Sequence, residues 1–117
     1  MTNHNYASQE AILAAQRLAQ DYNHPSIEPA HLLLALLRQE DGVVPAVVTR
    51  VAGSVLALRD EVTQDLERRS RVYGSGGEIG LSPPAASALE AAERYAKGMQ
   101  DEYVSAEHLL LGLTESS

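Results

Sequence analysis

Two of the four histidines in this chain stand seven residues apart, with a carboxylate between them, in the stretch HPSIEPAH at residues 24–31. Imidazole and carboxylate together are the side chains of metal ligation and of general acid–base catalysis. A tetrahedral metal site, however, needs three or four converging ligands. The chain has no cysteine and no His-Glu-x-x-His pair, so the histidines fall short of that count. Ser, His and Asp all occur, but no Gly-x-Ser-x-Gly nucleophile turn does. The stretch YGSGGEIG at residues 73–80 has the glycines of a phosphate loop. A Walker loop also needs a Gly-Lys-Ser/Thr ending, so that backbone amides and one lysine clasp the phosphates. No lysine follows Gly77 or Gly80, and the stretch reads as a linker. The acids Glu90, Glu93, Asp101 and Glu102 read most simply as a solvated face, the alternative being a docking surface for a basic partner. The expectation is recognition without catalysis, and no cofactor or metal bound by this domain.

His31 and His108 sit in a repeat. With residue 11 placed over residue 88 and the register kept to residues 36 and 113, ten of 26 positions are identical without a gap. They include Ala11/Ala88, Ala15/Ala92, Arg17/Arg94, Ala19/Ala96, His31/His108 and Leu34/Leu111. A register held this long points to an internal duplication of a helical unit. A histidine written twice at equivalent positions argues for a structural task performed twice. Both are read as helix-start packing or hydrogen-bonding residues, with groove polarity as the alternative.

The elements that position these residues follow from caps and periodicity. Asn5 and Ser82 are N-cap types, and Pro83 fits a first helical position. A first helix is expected over residues 6–22, with Ile12, Ala15, Leu18, Ala19 and Tyr22 on its apolar stripe. Its counterpart is expected over residues 83–99, with Leu89, Ala92, Tyr95, Ala96 and Met99. In each unit a short connector carries one apolar plug, Ile27 or Val104. Glu28 or Ser105 then caps a leucine-rich helix expected at the buried centre of its unit. Residues 43–51 and 55–70 complete repeat one, the latter capped by Ser54. Repeat one therefore spans residues 5–70, a glycine-rich flexible linker residues 71–81, and a partial repeat two residues 82–117. Nothing after residue 113 matches the helices of 43–70, so the second repeat is expected to be truncated, and the domain to be a monomer or weak dimer, with the uncovered apolar face promoting the dimer. Leu18 and Tyr95 read equally well as core or as groove residues.

Composition narrows the partners. The net charge of −7 and the lack of a basic stripe argue against nucleic acid. The longest apolar run, residues 32–37, is too short to span a bilayer. The N-terminus has neither the basic residues nor the apolar run of a signal peptide. A cytoplasmic, all-α domain of two pseudo-twofold-related repeats is the expectation.

The two halves resemble the two repeats of the Clp N-terminal domain, found at the front of Clp-type AAA+ unfoldases. The residues that carry the likeness are IEPAHLLLALL at 27–37 and YVSAEHLLLGL at 103–113, within a match that runs over residues 5–114. The linker RVYGSGGEIGLSP looks like that of the ClpB disaggregase branch, and a ClpC-like parent is the second choice. The resemblance implies a non-catalytic module that docks unfolded or aggregated polypeptides, or adaptor proteins, above a homohexameric ATPase that binds ATP and magnesium downstream of this domain. It implies a groove bordered by Asn5, Ala91, Tyr95, Glu107 and His108, with Ala14, Leu18, Ala30 and His31 as first-repeat counterparts. Ala91 and Tyr95 depart from the leucines frequent in the family, and Ala30 replaces an acid that ClpC-like members use for phosphoarginine. The alternatives are a ClpC-like adaptor- and degron-binding domain and a stand-alone regulator that docks on a Clp ring.

Overall fold

Side-chain caps open three of the helices. Asn5 Oδ1 accepts from the Ser8 amide at 2.9 Å, Ser54 Oγ from Ala57 at 3.1 Å and Ser82 Oγ from Ala85 at 3.2 Å. Each satisfies one of the orphan amides of a first turn. The structure, a computed structural model, describes residues 3–73 and 79–115, so residues 74–78 of the glycine-rich linker and residues 116–117 of repeat two lie outside the described residues. In chain order it comprises β1 (Asn3–His4), α1 (Tyr6–Asp21), α2 (Pro29–Leu37), α3 (Val43–Ala52), α4 (Val55–Arg68), α5 (Pro83–Gly98), β2 (Tyr103–Val104) and α6 (Ala106–Glu115). α1 and α5 stop alike: Asn23 (φ 57°) and Gln100 (φ 59°) follow the C-caps Tyr22 and Met99 in the left-handed region.

The two strands, which helical periodicity gives no sign of, show how the repeats are joined. β1 pairs in parallel with β2, Asn3 opposite Tyr103 and His4 opposite Val104. The same pairing recurs 77 residues on, where Leu81 bridges Ile27. The Asn5 amide donates to the Val104 carbonyl at 2.8 Å, and its counterpart, the Ser82 amide, donates to the Ile27 carbonyl at 3.0 Å. Each repeat thus lends its leading segment to the other repeat's loop. That reciprocity is the mark of an approximate twofold axis, and it buries the apolar plugs Ile27 and Val104.

The buried stripes are narrower than expected. On α1 the fully covered residues are Ser8, Ala11, Ala15 and Ala19, while Ile12, Leu18 and Tyr22 flank them half-buried. On α5 they are Ala85, Ala88, Ala91, Ala92 and Ala96, and Met99, expected inside, is 53% exposed. Small side chains let the neighbouring helices come close, and the bulkier residues are pushed to the edges of the contact. α2 forms the centre of the core, with Leu32, Leu34, Leu36 and Leu37 buried beneath α1, α3 and α4. Among the described residues no repeat-two counterpart of α3 and α4 packs on α6, although α3 itself touches it. Leu111 and Leu113, counterparts of the fully buried Leu34 and Leu36, are accordingly half-buried.

Candidate functional site

A hollow lies where each helix pair crosses. Between α1 and α2 it is about 390 Å3, with Ala14, Arg17, Leu18, Ala35 and Arg38 in its wall. Shifting those five positions by 77 gives Ala91, Arg94, Tyr95, Gly112 and Glu115. These residues line two adjoining hollows between α5 and α6. One, of about 310 Å3, is bordered by Arg94, Tyr95, Gly98, Met99 and Glu115. The other, of about 140 Å3, is bordered by Ser87, Ala91, Arg94, Gly112 and Glu115. The duplication has therefore produced a surface feature twice as well as a fold.

The two copies differ in charge and width. In the α5–α6 copy Arg94 Nη2 donates to Glu115 Oε1 at 2.9 Å, so the cation is neutralised within the site. The same carboxylate, by hydrogen bonding and by its charge, raises the Tyr95 phenol above its usual 10.0 and keeps it a neutral donor. In the α1–α2 copy Glu115 is replaced by Arg38, and Arg17 and Arg38 share the lining with Glu10, Asp21 and Glu40 without forming an ion pair among the described residues. Gly112 sets the width: a Cβ there would run into the Ala88 carbonyl oxygen and stand 3.0 Å from the Ala92 nitrogen. Repeat one carries Ala35 at that position, so α1 and α2 cannot approach as closely.

Leu18 and Tyr95, half-buried, border the hollows, and Ala91, 3% exposed, forms floor rather than wall. Asn5, Glu107 and His108 are not among the residues that line these hollows; they gather where β1, β2 and the start of α6 meet. Asn5 is engaged as the cap of α1, and Glu107 is exposed in the first turn of α6. Ala30 is half-buried in the first turn of α2. The lining residues to which sequence reasoning gave no site role are Arg17, Arg94 and Glu115, while Met99 was expected in the core. Arg17/Arg94 was a signal in plain view, an exposed polar residue kept identical in the two repeats.

His31 and His108 are buried and close their helix starts in the same way. His31 Nδ1 accepts from the Glu28 amide at 2.8 Å, and His108 Nδ1 from the Ser105 amide at 2.9 Å. Each histidine thereby takes the part that Glu or Gln plays in a capping box. Those bonds place the remaining ring proton on Nε2. His31 Nε2 donates to His24 Nδ1 at 2.7 Å, and His108 Nε2 donates to Asp101 Oδ2 at 2.9 Å. Positions 24 and 101 are again 77 apart. Burial, then the positive charges near it, lowers His31 to about 4. Among the described residues no group of three His, Asp or Glu is placed to hold a metal ion, and no helix is long and apolar enough to cross a membrane.

Crossed helix pairs joined by reciprocal strand pairing, with a hollow at each crossing, define a duplicated helical domain that presents surface clefts. This architecture is shared with the Hsp104 N-terminal domain of Candida albicans, which superposes with a TM-score of 0.89 over 97% of this chain and 75% of that one, at 23% identity. The N-terminal domain of the ClpV1 ATPase of an enteroaggregative E. coli matches at 0.86 and 27% identity, over 97% of this chain and 68% of that one. Residues 4–117 match the model of the Clp repeat (R) N-terminal domain, and the chain belongs to that family. The chaperone protein ClpB of Dichelobacter nodosus is 41% identical over 102 residues, 87% of this chain. The chain spans 12% of that relative's length.

Proposed function

We propose that this domain docks unfolded or aggregated polypeptides for a ClpB-type chaperone, and that the α5–α6 hollow is the docking site. One observation carries the reading: Tyr95 and Met99 stand partly open beside a cation already neutralised by Glu115. Such a surface offers an aromatic face and a flexible thioether to any apolar side chain without demanding a charge. The Tyr95 hydroxyl and the Arg94–Glu115 pair remain to hold backbone amides. Shallow contacts worth about 1 kcal/mol each give weak binding. Six tethered copies on one homohexameric ring would raise it by avidity. ATP and magnesium would be bound by that ring, outside this chain. The family match and the ClpB relatives support the reading. Adaptor proteins are a second class of partner for the same surface, and the cytoplasm is the compartment proposed for it.

Fluorescence anisotropy of a dye-labelled, permanently unfolded polypeptide (reduced, carboxymethylated lactalbumin) tests this. Tyr95→Ser together with Met99→Ser should weaken binding about tenfold, as expected for the loss of one to two kcal/mol. Unchanged affinity in a folded double variant would overturn the assignment.

A further inference from the structure

The buried histidine pair of repeat one takes no part in either hollow, and its surroundings differ from those of its repeat-two counterpart in one telling way. In repeat one every acceptor nitrogen is already committed. The Glu28 amide donates to His31 Nδ1, and His31 Nε2 donates to His24 Nδ1. The His24 proton is left on Nε2, a buried atom without a hydrogen-bond partner, near the Leu66 carbonyl. The Tyr22 ring stacks on His24 at 5.2 Å and 7° between planes, and the Arg71 guanidinium stands 5.4 Å from the Tyr22 ring centre. Arg71 Nη1 also donates to the Tyr22 carbonyl at 3.1 Å, and the Val72 amide donates to the Asn23 carbonyl at 2.7 Å. The segment after α4 is thus strapped across the α1–α2 turn, directly over the pair.

Two neutral imidazoles here hold two ring protons, and a third has nowhere to go. On His24 Nδ1 it would face the His31 Nε2 proton, and on His31 Nδ1 it would face the Glu28 amide. The resulting cation would also lie among charges of its own sign, with Arg69 and Arg71 acting on His24 and Arg69 on His31, while Glu28 is the one acid acting on either ring. Repeat two is built differently. There His24 is replaced by Asp101, which gives a protonated His108 a counter-charge at 2.9 Å, and Ser105 Oγ, also at 2.9 Å from His108 Nδ1, can accept the added proton's hydrogen bond.

We propose that the His24–His31 pair is an acid-opened latch: a third proton on the pair breaks its hydrogen-bond chain and frees residues 69–72 from the α1–α2 turn, while the Asp101–His108 pair holds repeat two closed. Burial, the first cause of the lowered pKa of both histidines, fits a site that resists that proton until the turn opens.

Amide hydrogen exchange followed by NMR on this chain, corrected for intrinsic rates, tests the latch at neutral pH and at about pH 5. The reporters are the Val72 amide and two amides matched by the dyad: His24, bonded to the Ala19 carbonyl, and Asp101, bonded to the Ala96 carbonyl, each at 2.9 Å. On acidification the protection of Val72 and His24 should fall about tenfold or more while that of Asp101 holds. His24→Asp, which gives repeat one the pairing of repeat two, should abolish the response at Val72. The latch is refuted if Val72 and Asp101 lose protection together in the unmodified chain, whatever the variant does, or if folded His24→Asp keeps the acid response.

Discussion

Gly112 is the residue on which the geometry of the α5–α6 crossing turns, and Gly112→Ala gives a worked test of it. In an open helix this change stabilises by about 1 kcal/mol, because alanine is the better helix former. Here the added methyl meets the Ala88 carbonyl oxygen, with the Ala92 nitrogen at 3.0 Å and the Ala88 carbonyl carbon at 3.3 Å. All three are backbone atoms of α5, so no side-chain rotation relieves the clash and the helices must separate. Overpacking of this kind costs about 1–3 kcal/mol, and a rigid obstacle puts it at or beyond the upper end. The net expectation is a loss of about 2 kcal/mol. For a domain of this size that is a fall in Tm of about 8 °C, read by circular dichroism in a thermal scan and checked by urea unfolding. Gly98→Ala is the control, since no heavy atom lies within 4 Å of a Cβ there. It should leave Tm unchanged or raise it slightly. A Gly112→Ala chain as stable as the parent would refute the close approach, and with it the role of Gly112 in setting the width of the crossing.

Asn5→Ala should cost about 1 kcal/mol in urea unfolding, because the Ser8 amide loses its cap; Asn5→Gly should cost a few tenths. Leu36→Ala, at a fully buried position of α2, should cost about 2–5 kcal/mol and lower the urea midpoint accordingly. Arg94→Ala should change stability by no more than about 0.5 kcal/mol, because the ion pair it removes is exposed on both sides. The pH dependence has a definite sign. His31 is depressed from 6.5 to about 4, so its neutral form stabilises the fold fully above pH 6.5 and that contribution is lost as the pH falls toward 4. From this group alone unfolding should be easier at pH 4 than at pH 7 by about 3 kcal/mol, and His31→Gln should flatten that part of the profile.

Much of this architecture was legible because it rests on local rules. Asn5, Ser54 and Ser82 cap helices as their side chains dictate, and the 77-residue register that aligned His31 with His108 also aligns strands, turns and hollows. What escaped depends on partners distant in the chain. A two-residue strand has no periodicity to read, and β1 exists because β2 lies beside it about a hundred residues away. The stripe expected on α1 holds Ile12, Ala15, Leu18, Ala19 and Tyr22; close helix packing buries Ala15 and Ala19, adds Ser8 and Ala11, and leaves the larger Ile12, Leu18 and Tyr22 half-buried at its edges. The spacing of His24 and His31 was visible, but their mutual hydrogen bond needs the turn that Asn23 makes at φ 57°. Of the groove expected from the family likeness, Ala91 and Tyr95 meet at one crossing while Asn5, Glu107 and His108 collect at another junction. A list of residues along a chain carries no information about which end of a helix pair each one reaches.

The proposed seating of a stretched client chain on the α5–α6 hollow can be mapped residue by residue. The most direct measurement is a map of backbone amide shifts as unlabelled, reduced and carboxymethylated lactalbumin is titrated into the isotope-labelled domain. Graded shifts concentrated at Tyr95, Gly98, Met99 and the end of α6 are the predicted result. Saturating shifts confined to the exposed Val43, Val47 and Val51 of α3, with α5 and α6 silent, would contradict it.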